Sequence, residues 1–314
     1  MVARFPRCMF VRGQLVEVRS RAEIASTLDA NGALDGMPFM PEMAKHCGRR
    51  FRVHRRADKT CVEGHGLRRL HSAVFLEDLR CDGASHDGCQ RGCLIFWKEA
   101  WLKLVVDKGA LSSHEPKGDV QNPDTLQRSR IRAGERYLCQ STQLASATTY
   151  LSRWNFNHFL VELRNGELKP GLLARIVMRT LINRVRLLFN LPQLGSLSGQ
   201  RSKNPRGDLR LERGDWVDIK SPEEIQTTLD PCGRNCGLSF EPDMIEYTRG
   251  RYRVSGPIRK IILEQTGKMI ELKSTVALDG ATCRGLCAKN CPRNNPIFWR
   301  ESWLRRVSIG PSPP

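Results

Sequence analysis

Four potential metal ligands lie within a stretch of 13 residues in the first third of the chain: Cys81, His86, Cys89 and Cys93. Thiolates and imidazoles are ligands that Zn²⁺ takes in tetrahedral sites, and a short loop loses little entropy when it closes around an ion. Two Asp-Gly pairs within the stretch supply the tight turns that such a loop needs. The spacing differs from the common CxxC knuckle, but the residue types predict a metal site.

A second group of regularly spaced cysteines lies near residue 290: Cys283, Cys287 and Cys291. Aligning residues 279–283 with residues 82–86 puts Cys283 at the position of His86. All seven histidines lie at or before His158. A site in this second loop would therefore be formed by cysteines alone, and Cys232 or Cys236 would supply its fourth ligand.

Several kinds of chemistry are consistent with these cysteines. Structural zinc is the leading interpretation because the sites recur in two similar segments. An iron–sulfur cluster is the first alternative, since Cys291-Pro292 resembles the Cys-Pro ending of some cluster-binding sequences. Disulfide or redox chemistry and plain buried thiols are the others. Cys47 and Cys61 lie outside the clusters and are either buried thiols or additional ligands.

An internal repeat places the two loops in matching surroundings. Residues 13–43 align without a gap to residues 214–244, at an offset of 201, with 13 of 31 positions identical. IFWKEAWLKLV near the end of the first copy likewise matches IFWRESWLRRV near the end of the second. The pattern indicates a duplication around an unrelated insert. It predicts repeat copy one over 1–106, a linker over 107–134, a helical insert over 135–192, a second linker over 193–207 and repeat copy two over 208–314.

Each copy carries the same local signals. Val16 and Val18 alternate with a polar residue, which predicts a strand. Ser20 and Glu23 form a capping-box pattern that opens a short helix, and Ser221 and Glu224 repeat it. A strand around residues 51–54 and a hairpin around residues 265–267 follow. Short strands with one small helix predict an α+β protein with two small β-barrel-like domains, closest in pattern to the SH3-like class.

Composition limits the function classes. The chain has 314 residues, 51 Lys plus Arg against 33 Asp plus Glu, a net charge of +18 and a mean hydropathy of −0.43. These values exclude a collagen, a coiled coil and an acidic disordered chain. The sequence shows neither a signal-peptide pattern nor a long apolar run, so we expect a cytoplasmic protein with reduced thiols. The charge is spread along the chain, and nucleic acid is the expected anionic partner.

Two further patterns have competing interpretations. Trp97 and Trp101, like Trp299 and Trp303, are four residues apart and would share one face of a helix. Core packing is the expected role, and stacking against bases is the alternative. Residues 172–191 form an apolar helix with one narrow basic stripe. Burial against the barrels is expected there, with contact to a membrane surface or a partner groove as alternatives.

Several strings together resemble a family of bacterial two-repeat, cysteine-rich proteins with no assigned activity: PFMPEM (38–43), CGRRFRV (47–53), RADKTC (56–61), HDGCQRGCLIFWKEAWL (86–102), YLCQSTQL (137–144) and TGKM (266–269). The resemblance covers both copies and implies the two-repeat architecture. It also implies a further cysteine before the second cluster, where this chain has Ser274-Thr275-Val276.

No P-loop, GxGxxG, HExxH or GxSxG motif is present, so no catalytic residue is predicted. The expected function is a non-catalytic, metal-stabilised binding protein with a basic surface for an anionic partner, and the expected partner is nucleic acid. The alternatives are an accessory or redox (iron–sulfur) protein of a biosynthetic pathway and a peripheral membrane protein acting through residues 172–191.

Overall fold

The computed structural model describes residues 10–105, 131–152, 155–201, 205, 207–286 and 289–307. Most of the predicted linker at 107–134, the predicted ligand Cys287 and Cys8 lie outside these residues. The chain divides into two compact units. Unit one comprises Met1–Pro170, Ile262–Met269 and Cys291–Arg293, and unit two comprises Gly171–Ile261, Ile270–Asn290 and Asn294–Pro314. Two short segments of the second copy therefore belong to the first unit.

Unit one is mainly β-structure. Its elements in chain order are β1 (Leu15–Val18), α1 (Arg21–Ala25), β2 (Ala33–Leu34), β3 (Met37–Pro38), β4 (Arg50–Arg56), β5 (Lys59–Val62), β6 (Gly66–Arg69), β7 (Ala73–Arg80), β8 (Leu94–Lys98), β9 (Leu102–Leu104), β10 (Arg132–Ala133), β11 (Arg136–Tyr137), α2 (Gln140–Ala147), β12 (Thr149–Tyr150) and α3 (Asn157–Arg164). Short 3₁₀ helices span Pro41–His46 and Glu99–Trp101.

A five-stranded antiparallel sheet with the order β8-β7-β4-β1-β9 organises this unit. Alternating side chains of β1 point inward, so Val16 and Val18 are fully buried. Trp97 and Trp101 complete the core, and Phe39 packs edge-on against Trp101 at 5.2 Å between ring centroids. A smaller antiparallel sheet of this unit has the order β12-β6-β5.

The remaining elements in chain order are α4 (Pro170–Leu188), β13 (Trp216–Ile219), α5 (Pro222–Gln226), β14 (Arg234–Asn235), β15 (Leu238–Ser239), β16 (Arg251–Pro257), β17 (Lys260–Ile262), β18 (Met269–Glu271), β19 (Thr275–Thr282), β20 (Pro296–Arg300) and β21 (Leu304–Arg306). Most of them belong to unit two. Its 3₁₀ helices span Pro242–Tyr247 and Glu301–Trp303. Its five-stranded sheet has the order β20-β19-β16-β13-β21. The α+β class and two similar antiparallel sheets are therefore confirmed.

The predicted capping boxes are present in both copies. The Ser20 hydroxyl accepts the Glu23 backbone N–H at 3.3 Å, and the Glu23 carboxylate accepts the Ser20 N–H at 2.9 Å. Ser221 and Glu224 make the same pair of hydrogen bonds. Each capping box opens a helix of five residues, since α1 ends at Ala25 and α5 ends at Gln226.

The helical expectation for the tryptophans is wrong. Trp97 lies in strand β8 and Trp101 in a 3₁₀ helix, and the same holds for Trp299 and Trp303. All four side chains are fully buried. Their four-residue spacing reflects a strand that leads directly into a single helical turn, and burial removes them as a stacking surface for bases.

Burial of the apolar helix against the barrels is also wrong. Ile176 is the one buried residue of α4. The basic stripe faces the remainder of unit two: Arg175 pairs with Glu246 at 2.6 Å, and Arg179 donates to the Leu194 carbonyl at 3.0 Å. The opposite face is exposed and apolar, with Val177, Met178, Leu181, Val185 and Leu188.

None of the helices in the described parts of the chain is both long enough and apolar enough to cross a membrane.

Candidate metal centre

A carboxylate, a thiol and an imidazole converge in unit one. Glu42 lies on the Pro41–His46 helix, Cys81 directly follows β7, and His86 lies in the loop between β7 and β8. The Cys81 thiol donates to Glu42 Oε1 at 3.3 Å, and His86 Nδ1 lies 3.4 Å from the same oxygen. The three ligand atoms all lie within 4.8 Å of one another, a separation that one bound metal ion could bridge.

The loop that carries His86 is held in a tight conformation. The N–H groups of His86 and Gly88 both donate to the Gly83 carbonyl, each at 2.9 Å. Gly83 has a φ of +70°, and a Cβ there would lie 2.1 Å from the Cys89 carbonyl oxygen. Glycine is therefore required at this position, because a side chain would collide with the backbone of its own loop.

The polar atoms of this group are buried without enough hydrogen bonds. His86 is 1% and Glu42 is 7% exposed. Among the described residues, His86 Nδ1 and Glu42 Oε2 have no hydrogen-bond partner. His86 Nε2 lies 3.3 Å from the Leu138 carbonyl, which we assign as an Nε2–H donor, so that the Nδ1 lone pair faces the triad. A buried polar atom left unpaired costs about 1–3 kcal/mol, and a cation would remove that cost.

The ionisation equilibria of the triad depend on burial and on mutual contact. Burial raises the pKa of the Cys81 thiol, and the neighbouring Glu42 carboxylate raises it further. Burial also raises the pKa of the Glu42 carboxyl, but a protonated His86, which carries a hydrogen on Nδ1 as well, and nearby hydrogen-bond donors outweigh burial, so the net shift is downward. Without a cation the group holds a protonated thiol beside a carboxylate, whereas a bound metal ion would favour the thiolate.

The other two predicted ligands of this loop lie beside the triad but are not part of it. A cavity of about 30 Å³ is lined by five candidate ligands: Cys81, His86, Cys89, Cys93 and Cys139. Its volume is about that of one water molecule. Within the described residues, Glu42, Cys81 and His86 are the single set of three potential ligands with mutual separations below 4.8 Å. Glu42 was missed from the sequence, although its counterpart in copy two, Asp243, is also acidic and also follows a proline.

The corresponding place in unit two is built differently. Strands β7 and β19 align at an offset of 202, so Cys283 occupies the position of Cys81, and its alignment with His86 was wrong. Cys283 Sγ lies 4.0 Å from Asp243 Oδ2. The Arg179 guanidinium from α4 lies 3.6 Å from Asp243 Oδ1, and the Leu286 N–H donates to Asp243 at 3.1 Å. An arginine thus supplies positive charge to this buried carboxylate.

The remaining predicted ligands of copy two do not gather around Cys283. Cys232 and Cys236 are solvent-exposed, whereas Cys291 is buried in unit one. None of the ten described cysteines is disulfide-bonded, and no second group of three potential ligands occurs among the residues described. The described residues of copy two therefore do not form the cysteine-only site that the spacing predicts.

A second cavity of unit one contains a buried lysine. This cavity of about 130 Å³ is lined by Lys59, His158 and Glu162, among other residues. Lys59 Nζ lies 2.5 Å from Glu162 Oε1 and 3.1 Å from His158 Nδ1. Burial lowers the pKa of Lys59, and the Glu162 carboxylate partly offsets that shift. The sequence offered no signal for this cluster, because β5 and α3 are far apart in the chain.

No protein-family model, curated protein or solved structure matches this chain. The resemblance to two-repeat, cysteine-rich proteins therefore stays a prediction.

Proposed function

We propose that the protein is a metal-stabilised binding protein in which Glu42, Cys81 and His86 hold one Zn²⁺ ion. The observation that carries this proposal is the buried His86 Nδ1, which faces a carboxylate and a thiol and lacks a hydrogen-bond partner among the described residues. Zinc accepts oxygen, sulfur and nitrogen ligands in one site. An iron–sulfur cluster is less well supported, because such clusters are held mainly by four cysteines.

The fourth coordination position would be taken by Cys89, by Cys93 or by water. Both cysteines line the same cavity as the triad. Replacing the metal with Co²⁺ tests the ligand set, since thiolate ligation gives a charge-transfer absorption. We expect that band in the wild-type protein, a strong reduction in Cys81→Ser and its retention in the matched variant Cys283→Ser. No thiolate band in the wild-type protein, or its loss in Cys283→Ser alone, would overturn the assignment.

We propose that the anionic partner is nucleic acid. The net charge of +18 supports this proposal, because phosphate contacts by Lys and Arg dominate non-specific nucleic-acid binding. The five-stranded sheets of both copies also support the proposed assignment to SH3-like barrels. Binding of a labelled duplex should weaken steeply with added salt. Binding that does not respond to salt, or no binding at low salt, would reject nucleic acid as the partner.

Membrane-surface contact is a second candidate because α4 exposes an apolar face. Val177, Met178 and Leu181 are 45%, 59% and 52% exposed, and Leu188 is 81% exposed. Arg184, at the margin of this face, would contact anionic headgroups. Sedimentation with vesicles containing anionic lipid should recover the protein, and Met178→Glu should abolish recovery. Equal recovery of the two proteins would reject this candidate.

A further inference from the structure

Two cysteines outside the candidate metal centre meet within unit one. Cys61 on strand β5 and Cys291 have their sulfur atoms 3.3 Å apart. The Cys61 backbone N–H donates to the Cys291 sulfur at 3.2 Å. Cys291 is 3% exposed, whereas Cys61 is partly exposed. The side chains therefore need only a small movement to form a sulfur–sulfur bond.

Buried charges surround this pair. Arg293 donates to the Cys61 carbonyl at 2.9 Å and to the Ser141 hydroxyl at 2.8 Å. It also pairs with the Glu264 carboxylate at 2.7 Å. Lys59 lies on the same strand as Cys61, and its ammonium group interacts electrostatically with Cys291. Positive charge near a sulfur atom favours its thiolate form.

We propose that Cys61 and Cys291 form a redox-active pair that hydrogen peroxide oxidises to a disulfide. The Cys291 thiolate attacks one peroxide oxygen and breaks the O–O bond, which leaves a sulfenic acid on Cys291 and releases water after proton uptake. The Cys61 thiol then attacks the Cys291 sulfur, loses its proton and expels the second water. The two thiols are oxidised by two electrons, and one peroxide is reduced to two water molecules.

The roles of the two cysteines differ because their surroundings differ. Hydrogen bonding with Cys61 and the nearby Arg293 hold the pKa of Cys291 below the usual thiol range, although burial opposes this shift. The same sulfur–sulfur contact and burial raise the pKa of Cys61. Cys291 is accordingly the thiolate that attacks, and Cys61 is the thiol that resolves the sulfenic acid. Neither residue belongs to the Glu42, Cys81 and His86 triad, so the redox step is independent of the metal.

To test this proposal, the 314-residue protein is treated with hydrogen peroxide, and its peptides are mapped without reducing the disulfide bonds. We expect a cross-linked peptide that joins Cys61 to Cys291, with a mass lower by two hydrogens, and its disappearance after dithiol treatment. Cys47→Ser is the matched control, because Cys47 is not part of the pair and burial raises its pKa to about 11. Cross-linking should be unchanged in this variant.

Single variants test the order of attack. Cys61→Ser should accumulate a sulfenic acid on Cys291 that dimedone traps, whereas Cys291→Ser should give at least tenfold less adduct on Cys61. Circular dichroism verifies that each variant is folded, and Cys61→Ala and Cys291→Ala replace any variant that is not. Absence of the Cys61–Cys291 peptide in the oxidised wild-type protein would overturn the proposal. Equal dimedone labelling of the two variants would overturn the assigned order of attack.

Discussion

The two copies stabilise a buried carboxylate in different ways. In copy one, Glu42 lies beside Cys81 and His86, and two buried polar atoms of the group lack hydrogen-bond partners within the described chain. In copy two, Asp243 lies beside Cys283 and faces the Arg179 guanidinium. The comparison indicates that one scaffold supports two solutions. An arginine from α4 neutralises the carboxylate in unit two, whereas the proposed metal ion does so in unit one.

The largest expected effect is the loss of a core tryptophan, and it should be equal in the two copies. Trp101 and Trp303 are fully buried, and each indole N–H donates to a threonine hydroxyl, of Thr27 and Thr228 respectively. Replacing either tryptophan with alanine should destabilise its own unit by about 4 kcal/mol through loss of buried area and creation of a cavity. The free energy of unfolding of both variants is measured in urea. A strongly unequal cost would show that the two cores are not equivalent.

Removing the arginine should make copy two resemble copy one without metal. Arg179→Met leaves the Asp243 carboxylate buried beside an uncharged side chain, and we expect a loss of about 3 kcal/mol. The double variant Arg179→Met with Asp243→Asn removes the buried negative charge and should recover most of that stability. The loss and the recovery of stability are measured by thermal unfolding of the whole protein. No loss in the single variant, or no recovery in the double variant, would contradict the role of this pair.

Acid should destabilise copy one at a higher pH than copy two. Burial, with Lys45 and Arg49 nearby, lowers the pKa of His46 from 6.5 to about 4. As the pH falls from 6.5 to about 4, the unfolded chain binds a proton that the folded unit does not, so folding stability falls by about 2 kcal/mol in that window. Copy two has Tyr247 at this position, and both rings pack edge-on against a tryptophan.

His46→Tyr tests this difference. The variant should show a smaller decline in stability between pH 6.5 and pH 4, with the remainder due to groups such as His54, whose pKa is also lowered by burial. It should keep its stability at pH 7.5. Chemical unfolding at a series of pH values provides the measurement, and Tyr247→Phe is the matched control. An unchanged pH profile in His46→Tyr would show that another group in unit one titrates.

The smallest effect is expected on the solvated face of the first sheet. Arg50 pairs with Glu17 at 3.2 Å across strands β1 and β4, and both side chains retain solvent contact. Arg50→Ala should cost less than about 1 kcal/mol, since solvent screens such pairs. Unfolding in urea, compared with the Trp101→Ala variant, provides the check. A cost comparable to that of the tryptophan variant would mean that this face of the sheet is not solvated.

The capping boxes and the hairpin of β17 and β18 were predictable because they depend on local sequence patterns. The similarity of the two five-stranded sheets was predictable from the internal repeat. The constant offset also predicted that Trp101 and Trp303 would occupy equivalent places. The candidate site was only partly predictable. Cys81 and His86 follow from spacing, but Glu42 reaches them through a tertiary contact that spacing does not encode. The spacing predicted that Cys291 is a ligand in the second loop. Cys291 instead packs beside Cys61, because the chain returns to unit one at residues 291–293.

The exposed face of α4 shows a second reason for failure. Apolar content alone predicted burial of the helix, but the hydrogen bonds of Arg175 and Arg179 direct its polar stripe toward unit two. The orientation of the helix depends on which face finds hydrogen-bond partners, and those partners are set by the tertiary structure. Sequence periodicity identifies the two faces of such a helix and does not specify which one contacts the protein.

The metal content of matched carboxylate variants tests the central claim most directly. The wild-type protein, Glu42→Gln and Asp243→Asn are purified in parallel with zinc, dialysed and measured by elemental analysis. The account predicts one zinc per chain in the wild-type protein and in Asp243→Asn, and a loss of most of the zinc in Glu42→Gln. A wild-type protein without zinc, or zinc retained in Glu42→Gln and lost in Asp243→Asn, would contradict it.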